Sequence, residues 1–197
     1  MEDIIKGVTE LCEIAYKYGA DKCPQLNHMY TPFYYEFFSP MRQTVKKVFE
    51  YGVGNSRIKT AIPHYQIGAS LRMWRDFFPN AQVYGADIAK GSIFVDERLE
   101  TFRCDETKPE EVRALIEKVG SDIDIFIDDA SHHMHEQIVL FETVMPLLQK
   151  SAIYVIEDCG RTRQFSRMFP TYNAYVPNLL PNLRPRAHDG LVIYTNK

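Results

Sequence analysis

The stretch Ile125-Phe-Ile-Asp-Asp-Ala-Ser-His-His133 decides the fold. An apolar run ends abruptly in two carboxylates, and a histidine follows three residues after the second. A second run, Ala152-Ile-Tyr-Val-Ile-Glu-Asp158, ends in the same way. Short apolar runs of this kind read as buried strands of a parallel sheet. Two neighbouring strands that finish in acid deliver carboxylates to one edge of that sheet. In open α/β sheets this edge is where ligands bind. Carboxylates with a histidine there point to a hard metal ion and a proton acceptor.

Outward from these runs, strand and helix signals alternate from residue 45 to 158. Val45 to Tyr51 is β-rich and leads into Gly52 and Gly54. Ser70 to Phe78 reads as a helix with Leu71, Trp74 and Phe78 on one face, ended by Pro79-Asn80. Ala81 to Ile88 and Leu99 to Asp105 are strands that place Asp87 and Asp105 at their ends. Lys108 to Val119 is a helix with Pro109 in its first turn and Gly120 after its end. A further helix is expected over His135 to Gln149. The βαβ alternation predicts an α/β fold: a Rossmann-like, doubly wound, mostly parallel sheet with helices on both faces.

The remainder is less regular. Pro170, Pro177, Pro181 and Pro185 argue against long elements near the end, where Leu191-Val-Ile-Tyr194 is the clear strand, expected at an edge. A shortened C-terminal strand set is therefore expected. Ile4, Ile5, Val8, Leu11, Cys12 and Ala15 recur at helical spacing near the start. One domain results: an N-terminal helical cap over residues 1–44, a core over 45–158 and a loop-rich segment over 159–197.

Composition excludes several classes. Net charge is -3 over 197 residues, which implies no basic face for nucleic acid. No apolar run approaches membrane-spanning length. Cys12, Cys23, Cys104 and Cys159 show no CxxC spacing and read as buried or free thiols, which fits a reducing compartment and a cytoplasmic location. The tyrosines and phenylalanines between residues 30 and 38 read first as core, with a platform for a ring-shaped substrate as the sharper alternative.

Three acids at successive strand ends outline a cofactor site. Glu50-Tyr-Gly-Val-Gly54 allows a tight turn and close backbone approach. Asp87 is placed to accept the hydroxyls of an adenosine ribose, and Asp105 to face an adenine. The third glycine of a dinucleotide fingerprint is replaced by Arg57, and a long insertion, residues 55–67, precedes the next helix. A pyrophosphate prefers a helix N-terminus close behind the glycines. S-adenosylmethionine lacks that group and is the expected cofactor, with NAD second. Glu50, Gly52, Gly54, Ser70, Asp87, Asp105 and Asp128 are the cofactor-side candidates.

Several motifs occur in one order: Tyr18-Gly-Ala-Asp-Lys22, His28-x-Tyr30, Tyr35-Glu36, Gly52-Val-Gly54, Gly68 to Trp74 with Phe78-Pro-Asn80, Asp128 to His132, and Ile156-Glu-Asp158. Together they resemble the class I methyltransferases that O-methylate deoxysugars of macrolide antibiotics, the mycinamicin and demethylmacrocin type. The resemblance spans roughly residues 11 to 160. It implies S-adenosylmethionine, Mg²⁺, a sugar or glycan acceptor and a tendency to form homo-oligomers. Carried over by motif, Asp129 and Asp158 are metal ligands, Glu36 the third ligand, and His132 the general base. The chain departs from the pattern at Ala20, Ala130 and Gln149-Lys-Ser151. A catechol-type O-methyltransferase and a non-catalytic cofactor-binding subunit are the competing readings. The blander ones are that Asp128 and Asp129 cap the next helix, that Asp21-Lys22 is a local ion pair where the resemblance implies a role in closing the cap over the site, and that Arg161 and Arg163 meet only solvent where the sharper alternative is contact with a phosphorylated or nucleotide-bearing acceptor.

Overall fold

Alternation along the first strand sorts the two faces of the sheet. In β1 (Lys47–Tyr51), Val48 joins the core on one face, while Phe49 and Tyr51 join the core on the other. The computed structural model describes residues 7–179 and 190–197. Ile4, Ile5, Pro181 and Pro185 lie outside the described residues.

The chain begins with α1 (Glu10–Tyr18) and α2 (Tyr30–Phe38). Thr9 caps α1 by accepting from the Cys12 amide, and Gly19, at φ 78°, closes it in the left-handed conformation. After β1 come α3 (Ala69–Phe77), β2 (Gln82–Asp87), the two-residue β3 (Val95–Asp96) and β4 (Leu99–Arg103). Then follow α4 (Pro109–Val119), β5 (Ile125–Asp128), α5 (Met134–Val144) and β6 (Ile153–Ile156). The chain continues through α6 (Thr162–Phe165), β7 (Tyr172–Tyr175) and β8 (Val192–Asn196).

The sheet order is β3-β4-β2-β1-β5-β6-β8-β7. The inner pairs β4·β2, β2·β1, β1·β5 and β5·β6 are parallel, while β3·β4, β6·β8 and β7·β8 are antiparallel. After β1 the chain builds outward through β2 and β4, then returns to build β5 and β6 on the other side. The order reverses between β1 and β5, and that switch point opens a crevice at their carboxyl ends. Helices α1, α2 and α3 pack on the face of Val48, Ile125 and Ile127, and α4 and α5 on the face of Phe49, Phe126 and Tyr154. The sheet is thus doubly wound, as the alternation predicts.

Three expectations change. The C-terminal strand set is not reduced to a single strand, because β7 supplies a second that the sequence conceals. Tyr172-Asn-Ala-Tyr175 is mostly exposed and carries no apolar alternation. The terminal strand is consequently interior, between β6 and β7, and not at the edge. The helix expected over His135 to Gln149 ends as an α-helix at Val144, and Pro146, which lacks an amide N–H, turns the chain into a 3-10 segment, Met145–Leu147.

The N-terminal cap has no core of its own. Leu11, Ala15, Tyr30, Tyr34 and Phe38 are buried in the same cluster as Trp74 and Phe77 of α3 and Ile127 of β5. The aromatic stretch of α2 is therefore largely core, with Tyr34 edge-on to Trp74 at 5.4 Å between ring centroids.

Candidate active site at the carboxyl edge of the sheet

Strand period places the acids. Glu157 follows Ile153 and Val155 on the face covered by the N-terminal cap, and Glu50 follows Val48 on the same face. The chain beyond β5 stays paired to the sheet, with the Asp129 amide donating to Tyr51 O at 3.0 Å and the Glu157 amide to Asp128 O at 2.9 Å. Asp129 therefore emerges beside Glu50 and Glu157. Successive residues point to opposite faces, so Asp128 turns away.

The cap supplies a cation to this cluster. Lys22, 2% exposed, donates to Asp129 Oδ2 at 2.6 Å and to Glu157 Oε2, and its Nζ lies 3.9 Å from Glu50 Oε1. Burial alone would lower its pKa, but the three acids outweigh burial and hold it well above the ordinary lysine value. Burial holds Asp129, Glu50 and Glu157 above the ordinary carboxylate range, Glu50 at about 7, against the opposing pull of Lys22. Tyr34 donates to Glu157 Oε1 at 2.7 Å, so both oxygens of Glu157 have protein partners.

Asp129, His132 and Asp158 bring one ligand atom each within 4.8 Å of one another. The two carboxylates share a pattern. Asp129 holds one oxygen to Lys22, and Asp158 holds one to the Tyr30 hydroxyl at 2.5 Å. The other oxygens face His132, with Asp129 Oδ1 3.9 Å from Nδ1 and Asp158 Oδ2 3.7 Å from Nε2. His132 and Asp158 adopt φ of 61° and 49°, and they are two of three non-glycine residues with positive φ among the described residues. Such strain survives where the surrounding structure fixes it, commonly at functional sites. Two outward carboxylate oxygens beside an excess of buried acid suit a hard divalent cation such as Mg²⁺, which prefers oxygen ligands. Imidazole suits softer ions, and a half-exposed ring such as that of His132 is also able to exchange a proton with a neighbour.

The remaining candidates fall into three groups. Gly52, Gly54 and Asp87 line one cavity of about 200 Å³ together with Lys22, His28, Tyr30, Asp129, His132 and Asp158. Gly52 is required by the turn: at φ 96°, a Cβ there would lie 1.9 Å from Asp129 O. The Asp87 carboxylate is held by the Gly54 amide at 3.1 Å and the Ala89 amide at 2.8 Å. Ser70 lines a small adjoining pocket and donates to Glu50, which is fully buried behind it and also accepts from Trp74 Nε1. Asp105 borders a further cavity of about 200 Å³ with Ile88 and Arg103, and its carboxylate accepts from the Thr107 amide and hydroxyl.

Two candidates are not brought to the site. Asp128 is 1% exposed on the opposite face against Tyr154, and burial pushes its pKa up to about 8. Glu36 is exposed on α2. That helix turns Tyr30 and Tyr34 toward the acids, and a residue two positions past Tyr34 lies about 200° around the axis. The third acid beside the cluster is instead Glu157, which lines the cavity. Sequence reading gives Glu157 no role of its own and sets Lys22 evenly between a local pair with Asp21 and a role in closing the cap over the site. Strand alternation was the signal available for Glu157. Nothing local marks Lys22, whose partners are 107 and 135 residues away.

No protein-family model matches the chain. Over 153 residues it is 37% identical to the 8-demethyl-8-alpha-L-rhamnosyl tetracenomycin-C 2'-O-methyltransferase of Streptomyces olivaceus, covering 78% of this chain and 38% of that protein. Over 149 residues it is 34% identical to the mycinamicin VI 2''-O-methyltransferase of Micromonospora griseorubida, covering 76% of this chain and 36% of that one. The chain belongs to this family of sugar O-methyltransferases. It spans under two fifths of the length of these two relatives. Among solved structures, the MycE methyltransferase of the mycinamycin biosynthetic pathway, in complex with Mg, SAH and mycinamycin VI, superposes with a TM-score of 0.73 at 25% identity. That match covers 95% of this chain and 54% of MycE. The Podospora anserina methyltransferase PaMTH1, at 12% identity and a TM-score of 0.61, shares the fold.

Proposed function

We propose that this chain is an S-adenosylmethionine-dependent, Mg²⁺-assisted O-methyltransferase acting on a sugar hydroxyl. The observation that carries the reading is the Asp129–His132–Asp158 cluster opening into the same cavity as Gly52, Gly54 and Asp87. Family membership and the Mg and SAH in MycE support it. The lining also favours it, because carboxylates, an ammonium and imidazoles suit a polyhydroxy acceptor better than a flat phenol ring.

Asp129 and Asp158 are the residues that would hold the metal. When bound, Mg²⁺ supplies Lewis acidity that lowers the pKa of a coordinated hydroxyl, and S-adenosylmethionine supplies an electrophilic methyl group. Lys22 and Tyr30 fix one oxygen of each carboxylate and leave the other turned toward His132. His132 accepts the hydroxyl proton on its ring and, being half-exposed, returns it to solvent. Asp87 is positioned to accept the ribose hydroxyls of the cofactor, with Gly52 and Gly54 leaving room for it.

No helix among the described residues is long and apolar enough to cross a membrane. The four cysteines are free and buried, which supports a reducing, cytoplasmic setting. Assembly into a homo-oligomer is proposed on the resemblance alone. Calorimetry tests the cofactor: S-adenosylhomocysteine should bind at micromolar affinity, and preferential binding of NAD sinks the assignment. Methyl transfer to a panel of glycosides should stop with EDTA and return with Mg²⁺. Turnover that ignores EDTA rejects the metal's role.

A further inference from the structure

A second cavity opens beside the first and shares His132 with it. Its volume is about 370 Å³, and its other walls include Met134, Gln137, Cys159 and Arg161. Arg161 brings a fixed positive charge to the lining. Arg42, Arg72 and Arg75 on the cap side each meet a carboxylate. The Arg161 guanidinium meets none among the described residues, and neither do those of Arg163 and Arg167 nearby. The described stretch from residue 159 to 179 carries Arg161, Arg163 and Arg167 and no acid, in a chain whose net charge is -3. Positive charge therefore gathers in the stretch of chain that carries Arg161, with no acid within it.

The segment bearing Arg161 is anchored. The Cys159 amide donates to Gly190 O at 2.9 Å, and the two backbones approach so closely that a Cβ on Gly190 would lie 2.7 Å from Cys159 O. The Phe165 amide donates to Arg161 O at 2.9 Å, and the Phe165 ring is fully buried. Tyr194 then donates to Phe165 O at 2.5 Å. A cation on a fixed backbone loses less freedom when it binds than one on a mobile arm.

We propose that this cavity is the acceptor subsite and that Arg161 binds a negative charge carried by the acceptor. This rests on the methyltransferase reading above and deepens it. The acceptor is then an anionic glycosyl compound, bearing a phosphate or a carboxylate beside the hydroxyl presented to His132. Size and chemistry converge on it. The cavity is near the lower end of small-molecule sites, which run from about 300 to 1,000 Å³, so it suits one sugar with a charged substituent rather than a bulky neutral aglycone. A guanidinium recognises phosphate or carboxylate through two parallel hydrogen bonds.

The test uses the full chain loaded with Mg²⁺ and S-adenosylhomocysteine. Binding of UDP-glucose, glucose 1-phosphate, glucuronate, inorganic pyrophosphate and neutral methyl glucoside is compared by calorimetry at low and high salt. The anionic probes should bind at least roughly tenfold more tightly than methyl glucoside, with the advantage shrinking as salt rises. Arg161→Gln should weaken the anionic probes by roughly 10- to 100-fold while leaving methyl glucoside and S-adenosylhomocysteine unchanged. Arg161→Lys should restore part of the loss, and Arg113→Gln, which removes the same charge from exposed α4, should change nothing. The strongest anionic probe distinguishes a nucleotide sugar, a sugar phosphate and a uronic acid. Equal binding of neutral and anionic probes, an Arg161→Gln variant that keeps the preference, or no Arg161-dependent binding at all overturns the proposal. Failure of S-adenosylhomocysteine to bind strikes instead at the methyltransferase reading beneath it.

Discussion

His132, the proposed proton acceptor, and Lys22, the buried cation beside Asp129, are separable by mutation. Replacing His132 with alanine removes the proposed proton acceptor and leaves Gly52, Gly54 and Asp87, the proposed cofactor side, unaltered. Methyl transfer should fall by about 10²- to 10⁴-fold with S-adenosylhomocysteine affinity within a factor of two of the parent. Steady-state kinetics beside calorimetry reads both, and a variant that keeps its turnover moves the base elsewhere. Lys22→Met takes the cation from between Asp129 and Glu157 and leaves those acids buried without it. Breaking a buried pair from one side costs about 3 kcal/mol, a Tm loss of roughly 6–12 °C at this chain length. An unchanged melting curve contradicts that account. The two residues also differ in how far the sequence revealed them. Asp87, Asp129, His132 and Asp158 stand at or just beyond strand ends, where topology alone sends them to one edge. Lys22 carries no such mark, because its partners lie on strands more than a hundred residues away and only the docking of the cap brings them together. Glu36 misled for the complementary reason: motif order placed it, and helix phase turned it outward.

Elements were legible in proportion to their burial. β1, β2, β4, β5 and β6 are apolar enough to read as strands, and their residues are mostly buried. β7 and β3 are largely exposed and held by antiparallel pairing, which leaves no apolar period in the sequence. How the helices dock was equally hidden. α1 is tied to α3 through Asp76, which accepts from the Tyr18 hydroxyl at 2.7 Å, from Lys17 at 3.1 Å and from Arg75. Burial alone would raise the pKa of Asp76, but these donors outweigh it and hold the carboxyl below its usual value of 3.8. A depressed carboxylate pKa stabilises the fold above the unfolded value, and that contribution disappears as pH falls through the folded value. Asp76→Asn should therefore cost about 1 kcal/mol at neutral pH, discounted for partial exposure. The difference from the parent should persist down to about pH 4 and close below it. Thermal melts of both proteins from pH 7 to pH 3 check this, and a gap that stays constant through pH 3 removes Asp76 from the lock.

At the scale of the molecule, cap and sheet share one core and should unfold as one cooperative unit. Lys22, Tyr30 and Tyr34 of the cap bond to Asp129, Asp158 and Glu157, the acids that follow β5 and β6, and the same helices share the core beneath. Any ligand that binds this arrangement stabilises the whole fold by mass action. At a hundred times its dissociation constant the gain is about 2.7 kcal/mol, or roughly 5–10 °C in Tm for a chain of this size. Mg²⁺ and S-adenosylhomocysteine should each raise the midpoint of a single unfolding transition. The two increments should separate by mutation. Asp129→Asn with Asp158→Asn removes the charge that would hold the metal, while Asp87 and Gly54, the proposed adenosine side, are unaltered. The double variant should lose the Mg²⁺ increment and keep most of the S-adenosylhomocysteine increment. Calorimetric melts with each ligand alone decide the matter, because a Mg²⁺ increment that survives in the double variant places the ion at some other set of oxygens. Two separate transitions would break the cap from the sheet, and with it the argument that docking the cap builds the site.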